Sequence, residues 1–167
     1  LPYMDRLATA SGETVQLVVL REKVGVCVEK IESAQALRVM PNKGNIIPLH
    51  AGASGRVIMA YLSKREQENI IEQRGLKKLT PNTFDDPLLL MENFDRIKRN
   101  GYATSSGEII EGTNAIAAPI FAQENKIVGS ISVAGPRERF RQNKVEGMIN
   151  EILDAALNIS REMGALK

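Results

Sequence analysis

Tryptophan is absent from this sequence, aromatic side chains make up only 4% of it, and it holds a single histidine and a single cysteine. Each scarcity removes a class of function. So few aromatics leave no stacking platform for single-stranded nucleic acid. One histidine and one cysteine cannot assemble a Cys/His zinc centre, and no metal site is expected. Cys27 has no intrachain disulfide partner, and within Val24-Gly-Val-Cys-Val28 it reads as a small buried thiol. Neither G-x-x-x-x-G-K-[ST] nor G-x-G-x-x-G occurs, so no nucleotide or other cofactor is expected. No apolar run approaches the roughly 18 residues that span a bilayer, which argues against a membrane partner. With no basic-then-apolar leader at Leu1-Pro2-Tyr3-Met4-Asp5 and one lone thiol, the expected location is the cytoplasm. The missing initiator methionine is read as the mark of a cut-out fragment or processed product.

Charge is nearly balanced: Lys+Arg 22 against Asp+Glu 20 leaves a net +2. A DNA-binding domain gathers its cations on one face or helix. Here the densest basic stretch, Arg137-Glu-Arg-Phe-Arg141, is short and broken by an acid, and reads as a solvated loop entering a helix. At 167 residues, with no repeat, low-complexity tract or linker, the chain suits one domain spanning 1–167.

The pattern along the chain predicts a helix over 1–10 stopped by Gly12, then strands over 13–20 and 24–31 joined by the polar turn Arg21-Glu-Lys23. A third strand is expected over Ala36 to Met40. A helix capped by Ser54 follows, then one opened by the capping box Ser63-Lys-Arg-Glu66 and closed at Gly75. Asp86-Pro87 starts another, which ends in basic residues before Gly101. Strands over 102–106, 114–121 and 126–134 come next. A final amphipathic helix buries Val145, Met148, Ile149, Ile152, Ala156 and Ile159. Hairpin-linked strands with helices bunched between and around them imply an α+β domain, an antiparallel sheet flanked by helices.

Catalytic groupings are scarce. His50 lies four positions from Ser54, but Gly52-Ala-Ser-Gly55 is one residue short of a nucleophile elbow. A hydrolytic Ser54/His50 pair is one alternative. The small residues Ala51 to Gly55 open a helix, whose first amides lack intrahelical acceptors and can seat a carboxylate. They serve equally well for close packing of helix on sheet. Thr104 to Glu108 and Glu111 to Asn114 form polar loops for which plain surface is the base-rate reading. Strand alternation places Ser130, Ser132 and Ala134 on one face, a pocket lining or a bed for a helix.

Four segments in order now carry a resemblance: Leu49-His-Ala-Gly-Ala-Ser-Gly-Arg56, Gly101-Tyr-Ala103, Gly112-Thr-Asn-Ala-Ile-Ala-Ala-Pro-Ile120 and Gly129-Ser-Ile-Ser-Val-Ala-Gly-Pro136. Together with Gly12 to Leu17 and Ile159 to Gly164, they resemble the C-terminal domain of the IclR family across the whole chain. That resemblance implies a GAF-like fold and a small-molecule-sensing, oligomerising domain of a transcriptional regulator that is not an enzyme. It implies a homodimer or tetramer, with operator DNA held by an N-terminal winged helix-turn-helix domain absent from this chain.

The resemblance also implies an effector pocket. The amides of Ala53 and Ser54 would hold a carboxylate, and Ser105, Ala115, Ser132 and Ala134 would complete the grip. Val39, Ile47 and Thr113 would give the wall. Where glyoxylate- or pyruvate-responsive members carry Asp, Cys and a second Ser, this chain has Ser105, Ala115 and Ala134. Losing those polar groups points away from glyoxylate, toward a larger aromatic or aliphatic organic acid. A dimerisation-only module, its pocket filled by side chains, is the other alternative.

Overall fold

The computed structural model describes residues 1–165. Its sheet has six antiparallel strands in the order β3-β2-β1-β6-β5-β4. In chain order these are β1 (Thr14–Arg21), β2 (Val24–Ile31), β3 (Ile46–Ile47), β4 (Ala103–Ser106), β5 (Thr113–Phe121) and β6 (Ile127–Pro136). Helices α1 (Pro2–Ser11) and α5 (Gln142–Glu162) cover one face. The other face carries α2 (Gly52–Ala60), which packs on α4 (Pro87–Asn100), with α3 (Lys64–Arg74) between them in sequence. The expected α+β architecture is thus the observed one.

Local chemistry accounts for most boundaries. Gly12 ends α1 at φ 72, where a side chain would be strained, and its amide closes on the Ala8 carbonyl. Ser63 and Glu66 form both halves of the capping box on α3. Asp86 accepts from the Leu88 and Leu89 amides at the start of α4, with Pro87 in the first turn. The final helix buries the expected stripe against Ile116, Ile131 and Val133.

The two faces of the sheet differ because β5 and β6 alternate with period two. Ile131 and Val133 of β6 join Leu7, Val15 and Ile152 under α1 and α5. Ser130, Ser132 and Ala134 face the other way, toward α2, whose nine residues are all buried. Close approach there is a glycine property: a Cβ on Gly55 would overlap the Pro48 carbonyl oxygen.

Two expectations fail. Residues 36–40 form no strand, although their apolar run resembles a short one. Their carbonyls are taken by side chains, Thr14 Oγ1 to Val39 at 2.7 Å and Arg139 Nη2 to Leu37 at 2.7 Å, so no ladder is needed. The third strand is Ile46–Ile47, paired with Val26 and Gly25. Ser54 is not an N-cap either. The N-cap is Ala51, three residues earlier, and Ser54 lies in the helix's first turn.

Gly55→Ala is expected to cost about 1–3 kcal/mol in urea unfolding, because overpacking against backbone outweighs the better helix propensity of alanine. Cys27 is fully buried, and that burial pushes its thiol pKa up. A thiol reagent should therefore label the folded protein only at the rate at which it opens.

Candidate functional site

A cavity of about 350 Å³ opens where α2 begins, on the face of the sheet away from α5. Its floor comes from the strands. Cross-strand register aligns Ser105 of β4 with Ala115 of β5, Ala115 with Ala134 of β6, and Ala134 with Thr14 of β1. The next row runs Ala103, Ala117, Ser132, Gln16. Small side chains in both rows leave space that Leu or Ile would fill.

One end of the cavity is the start of α2, with Gly52, Ala53 and Ser54. Ala51 has no side chain able to cap the helix. A carboxylate from 56 residues away substitutes: Glu108 Oε1 accepts from the Gly52 amide at 3.1 Å. The Ala53 and Ser54 amides also precede any intrahelical acceptor. Among the described residues neither donates to a side chain or to a carbonyl outside the helix.

Glu108 is held there by Arg56, one turn further along α2. Arg56 Nε reaches Oε1 at 2.7 Å and Nη2 reaches Oε2 at 2.7 Å, a two-pronged pair. Arg56 is 1% exposed and Glu108 6%. The guanidinium also donates to Asn93 Oδ1 at 2.5 Å and to the Thr104 carbonyl, and its carbon lies 5.1 Å from the centre of the Phe84 ring. The base-rate reading of Thr104 to Glu108 as plain surface therefore fails at Glu108. The available signal was Arg56 itself: an arginine in the apolar stretch Val57-Ile-Met-Ala60 needs a buried acid.

The wall is apolar. Val39, Met40 and Pro41 come from the irregular segment after β2, Ile47 from β3, and Ile109 and Ile110 from the loop after Glu108. The first segment is fastened by Thr14 and by Arg139, whose guanidinium grips the buried carboxylate of Glu13 at 2.5 and 2.8 Å. So Arg137 to Arg141 is more than a solvated loop: Arg139 braces the wall.

Of the residues expected at the site, Ala53, Ser54, Ser105, Ala115, Ala134, Val39, Ile47 and Thr113 all line this one cavity. Ser132 does not. It is fully buried where α2 packs on the sheet, and its Oγ has no hydrogen-bond partner among the described residues. Sequence reading missed Gln16, Arg38, Ile109 and Ile110, and weighed Glu108 only as part of a polar loop. His50 Nε2 lies 2.8 Å from the Lys77 carbonyl, while Ser54 Oγ accepts from Gln16 at 3.5 Å. No hydrogen bond joins His50 to Ser54 among the described residues, so no activated nucleophile is assembled.

The family model described as "Bacterial transcriptional regulator IclR C-terminal" matches residues 1–161. The chain belongs to the IclR family. It is therefore a transcriptional-regulator domain and not an enzyme. Among curated relatives, it is 37% identical over 163 residues to the HTH-type transcriptional regulator KipR of Bacillus subtilis (strain 168), covering 98% of this chain and 65% of KipR. The HTH-type transcriptional repressor AllR of Escherichia coli (strain K12) is 30% identical over 163 residues, covering 98% and 60%. The chain thus spans less than two thirds of the length of these relatives. Among solved structures, the Thermotoga maritima IclR superposes with a TM-score of 0.93 at 28% identity, covering 98% of this chain and 66% of that one. The C-terminal domain of E. coli transcriptional regulator KdgR gives 0.87 at 28% identity, covering 98% and 94%. No helix among the described residues is long and apolar enough to cross a membrane.

Arg56→Met should cost about 3–5 kcal/mol, since it strands Glu108 as a buried charge. The double change Arg56→Met with Glu108→Leu should cost clearly less than the two single changes added, in a double-mutant cycle read by denaturant unfolding.

Proposed function

We propose that this chain is the effector-sensing domain of an IclR-type regulator, and that a small organic acid bound in the cavity adjusts how the whole protein engages DNA. The observation that carries the reading is one open cavity with three matched surfaces. Two unclaimed helix amides lie at one end, a floor of Ser and Ala lies below, and an aliphatic wall closes the side. A helix N-terminus favours an anion both through its free N–H groups and through the helix dipole. Its neighbour Glu108 does not cancel that preference, because Arg56 neutralises it. The volume, about 350 Å³, falls at the small end of ligand sites and suits a compact acid.

The ligand's carboxylate meets Ala53 and Ser54, while Ser105, Ala115, Ala134 and Thr113 border its body and Val39 and Ile47 its apolar part. With alanine at 115 and 134, an aliphatic or aromatic acid suits the floor better than glyoxylate. The domain would act within a homodimer or tetramer, in the cytoplasm. Operator DNA would be contacted by a helix-turn-helix domain in the portion of the regulator that this chain does not span. Binding shifts DNA affinity only as far as the ligand distinguishes the two states of the assembly. The open cavity speaks against a dimerisation-only module with a filled interior.

Thermal unfolding of the chain against a panel of aliphatic and aromatic carboxylates tests this. A cognate acid at a hundred times its Kd should add about 2.7 kcal/mol, roughly 5–10 °C in Tm. Ala134→Leu should leave the domain folded and remove the shift. A shift that survives Ala134→Leu, or a panel in which no carboxylate stabilises the protein, would sink the assignment of this cavity.

A further inference from the structure

We propose that Arg38 selects the ligand, and that the ligand is a dicarboxylic acid whose aliphatic or aromatic body separates one carboxylate at the start of α2 from a second at Arg38. This rests on the organic-acid reading above and narrows its chemistry. Among the described residues two charged side chains line the cavity, Glu108 and Arg38. They are compensated to different degrees. Glu108 is closed off by Arg56, with both carboxylate oxygens engaged and both partners buried. Arg38 is not closed off. Its contact with Glu32 is long and one-pronged, 3.4 Å from Nε to Oε2. Nη1 donates to the Gln35 and Ala36 carbonyls at 3.2 and 3.4 Å, and Nη2 has no partner among the described residues.

Glu32 is itself shared between two cations. Lys30 Nζ holds its other oxygen at 2.5 Å, and it is Lys30 first, Arg38 only after it, that lowers the carboxyl pKa of Glu32. Nearby, Lys43 matches Glu29 at 2.6 Å and Arg139 matches Glu13 at 2.5 Å. The ion pairs around the segment after β2 thus bring Lys30, Arg38, Lys43 and Arg139 to only three carboxylates. The surplus positive charge falls at the guanidinium that lines the cavity. This observation is independent of the helix start, because Arg38 belongs to the wall and not to α2.

A guanidinium with an uncommitted nitrogen offers a carboxylate charge and matching planar geometry together. Val39, Ile47 and Ile109 supply hydrocarbon beside it, which suits an apolar body joining two acidic ends. The Arg38 side chain is 30% exposed, so water and salt screen the contact and the selectivity is modest.

The test uses pairs of nearly identical shape that differ in one charge: succinate, glutarate, adipate and terephthalate, each against its own monoamide. Calorimetric titration of the whole chain should show at least one diacid binding about three- to tenfold more tightly than its monoamide, with the preference shrinking as salt is raised. Arg38→Met keeps the apolar stem and removes the charge. It should level each pair while leaving the monoamide affinities within about twofold. Arg38→Gln, which retains a donor for the Gln35 and Ala36 carbonyls, should do the same, and the Tm without ligand verifies that each variant is folded. Ala134→Leu should abolish binding of diacid and monoamide alike. If no diacid outbinds its monoamide, or the preference persists in either folded Arg38 variant or in Ala134→Leu, the proposal is overturned while the organic-acid reading keeps its own test. Failure of all these acids to bind the unaltered chain, while other carboxylates stabilise it, overturns the dicarboxylate class alone. Failure of every carboxylate overturns both.

Discussion

Arg56 and Glu108 are both withdrawn from water, and removing either would leave a charge in a medium that cannot solvate it. The pair is tolerable because its geometry is nearly complete: two parallel contacts between guanidinium and carboxylate, plus Asn93 and the Thr104 carbonyl for the remaining donors. Those partners sit on α2, α4, β4 and the loop after it. One interaction therefore fixes the helix layer to the edge of the sheet. It also decides which groups the cavity presents. Glu108 occupies the first amide of α2, so the next donors without a recorded partner outside the helix among the described residues are those of Ala53 and Ser54, two residues that line the cavity. The following residues of the same loop, Ile109 and Ile110, are thereby delivered to the wall.

The cavity itself follows from where α2 starts relative to a floor of small residues. Over the row that contains Ala117 and Ser132 the helix packs down, and Gly55 lets it meet the Pro48 carbonyl without a Cβ between them. The row of Ser105, Ala115 and Ala134 extends beyond the helix's first turn, where no backbone covers it. Larger side chains at 115 and 134 would fill the gap. The polar atoms missing from those positions are thus also the source of the room above them.

Elements that depend on local chemistry were legible in the sequence. The αL glycine after α1, the capping box of α3, the Asp-Pro start of α4 and the stripe on α5 each involve residues within a few positions of one another. What escaped was decided at long range. Residues 36–40 are apolar enough for a strand, but the side chains of Thr14 and Arg139 take two of their carbonyls. Ser54 has the chemistry of a cap, but Glu108 already serves the helix two residues earlier. Most candidate site residues came from the family resemblance, and the structure brings all but Ser132 to the cavity surface. Gln16 escaped because nothing local separates an inward-facing glutamine on a strand from one in solvent.

The wall after β2 has a second consequence for how the domain holds together. Its carbonyls at Leu37 and Val39 are fastened to Arg139 and Thr14, and Ser33 Oγ donates to the Gly12 carbonyl at 2.7 Å. Arg139 in turn depends on Glu13, the residue that follows the αL stop of α1. The bonds that shape one side of the cavity are therefore the bonds that fix where α1 ends. A displacement of the wall cannot be absorbed by the wall alone, because close-packed interiors and paired buried carboxylates resist partial adjustment. It must either strain the Glu13–Arg139 pair or carry the end of α1 with it. The sheet separates the cavity from the face that α1 and α5 cover, and this corner is where the two sides share hydrogen bonds.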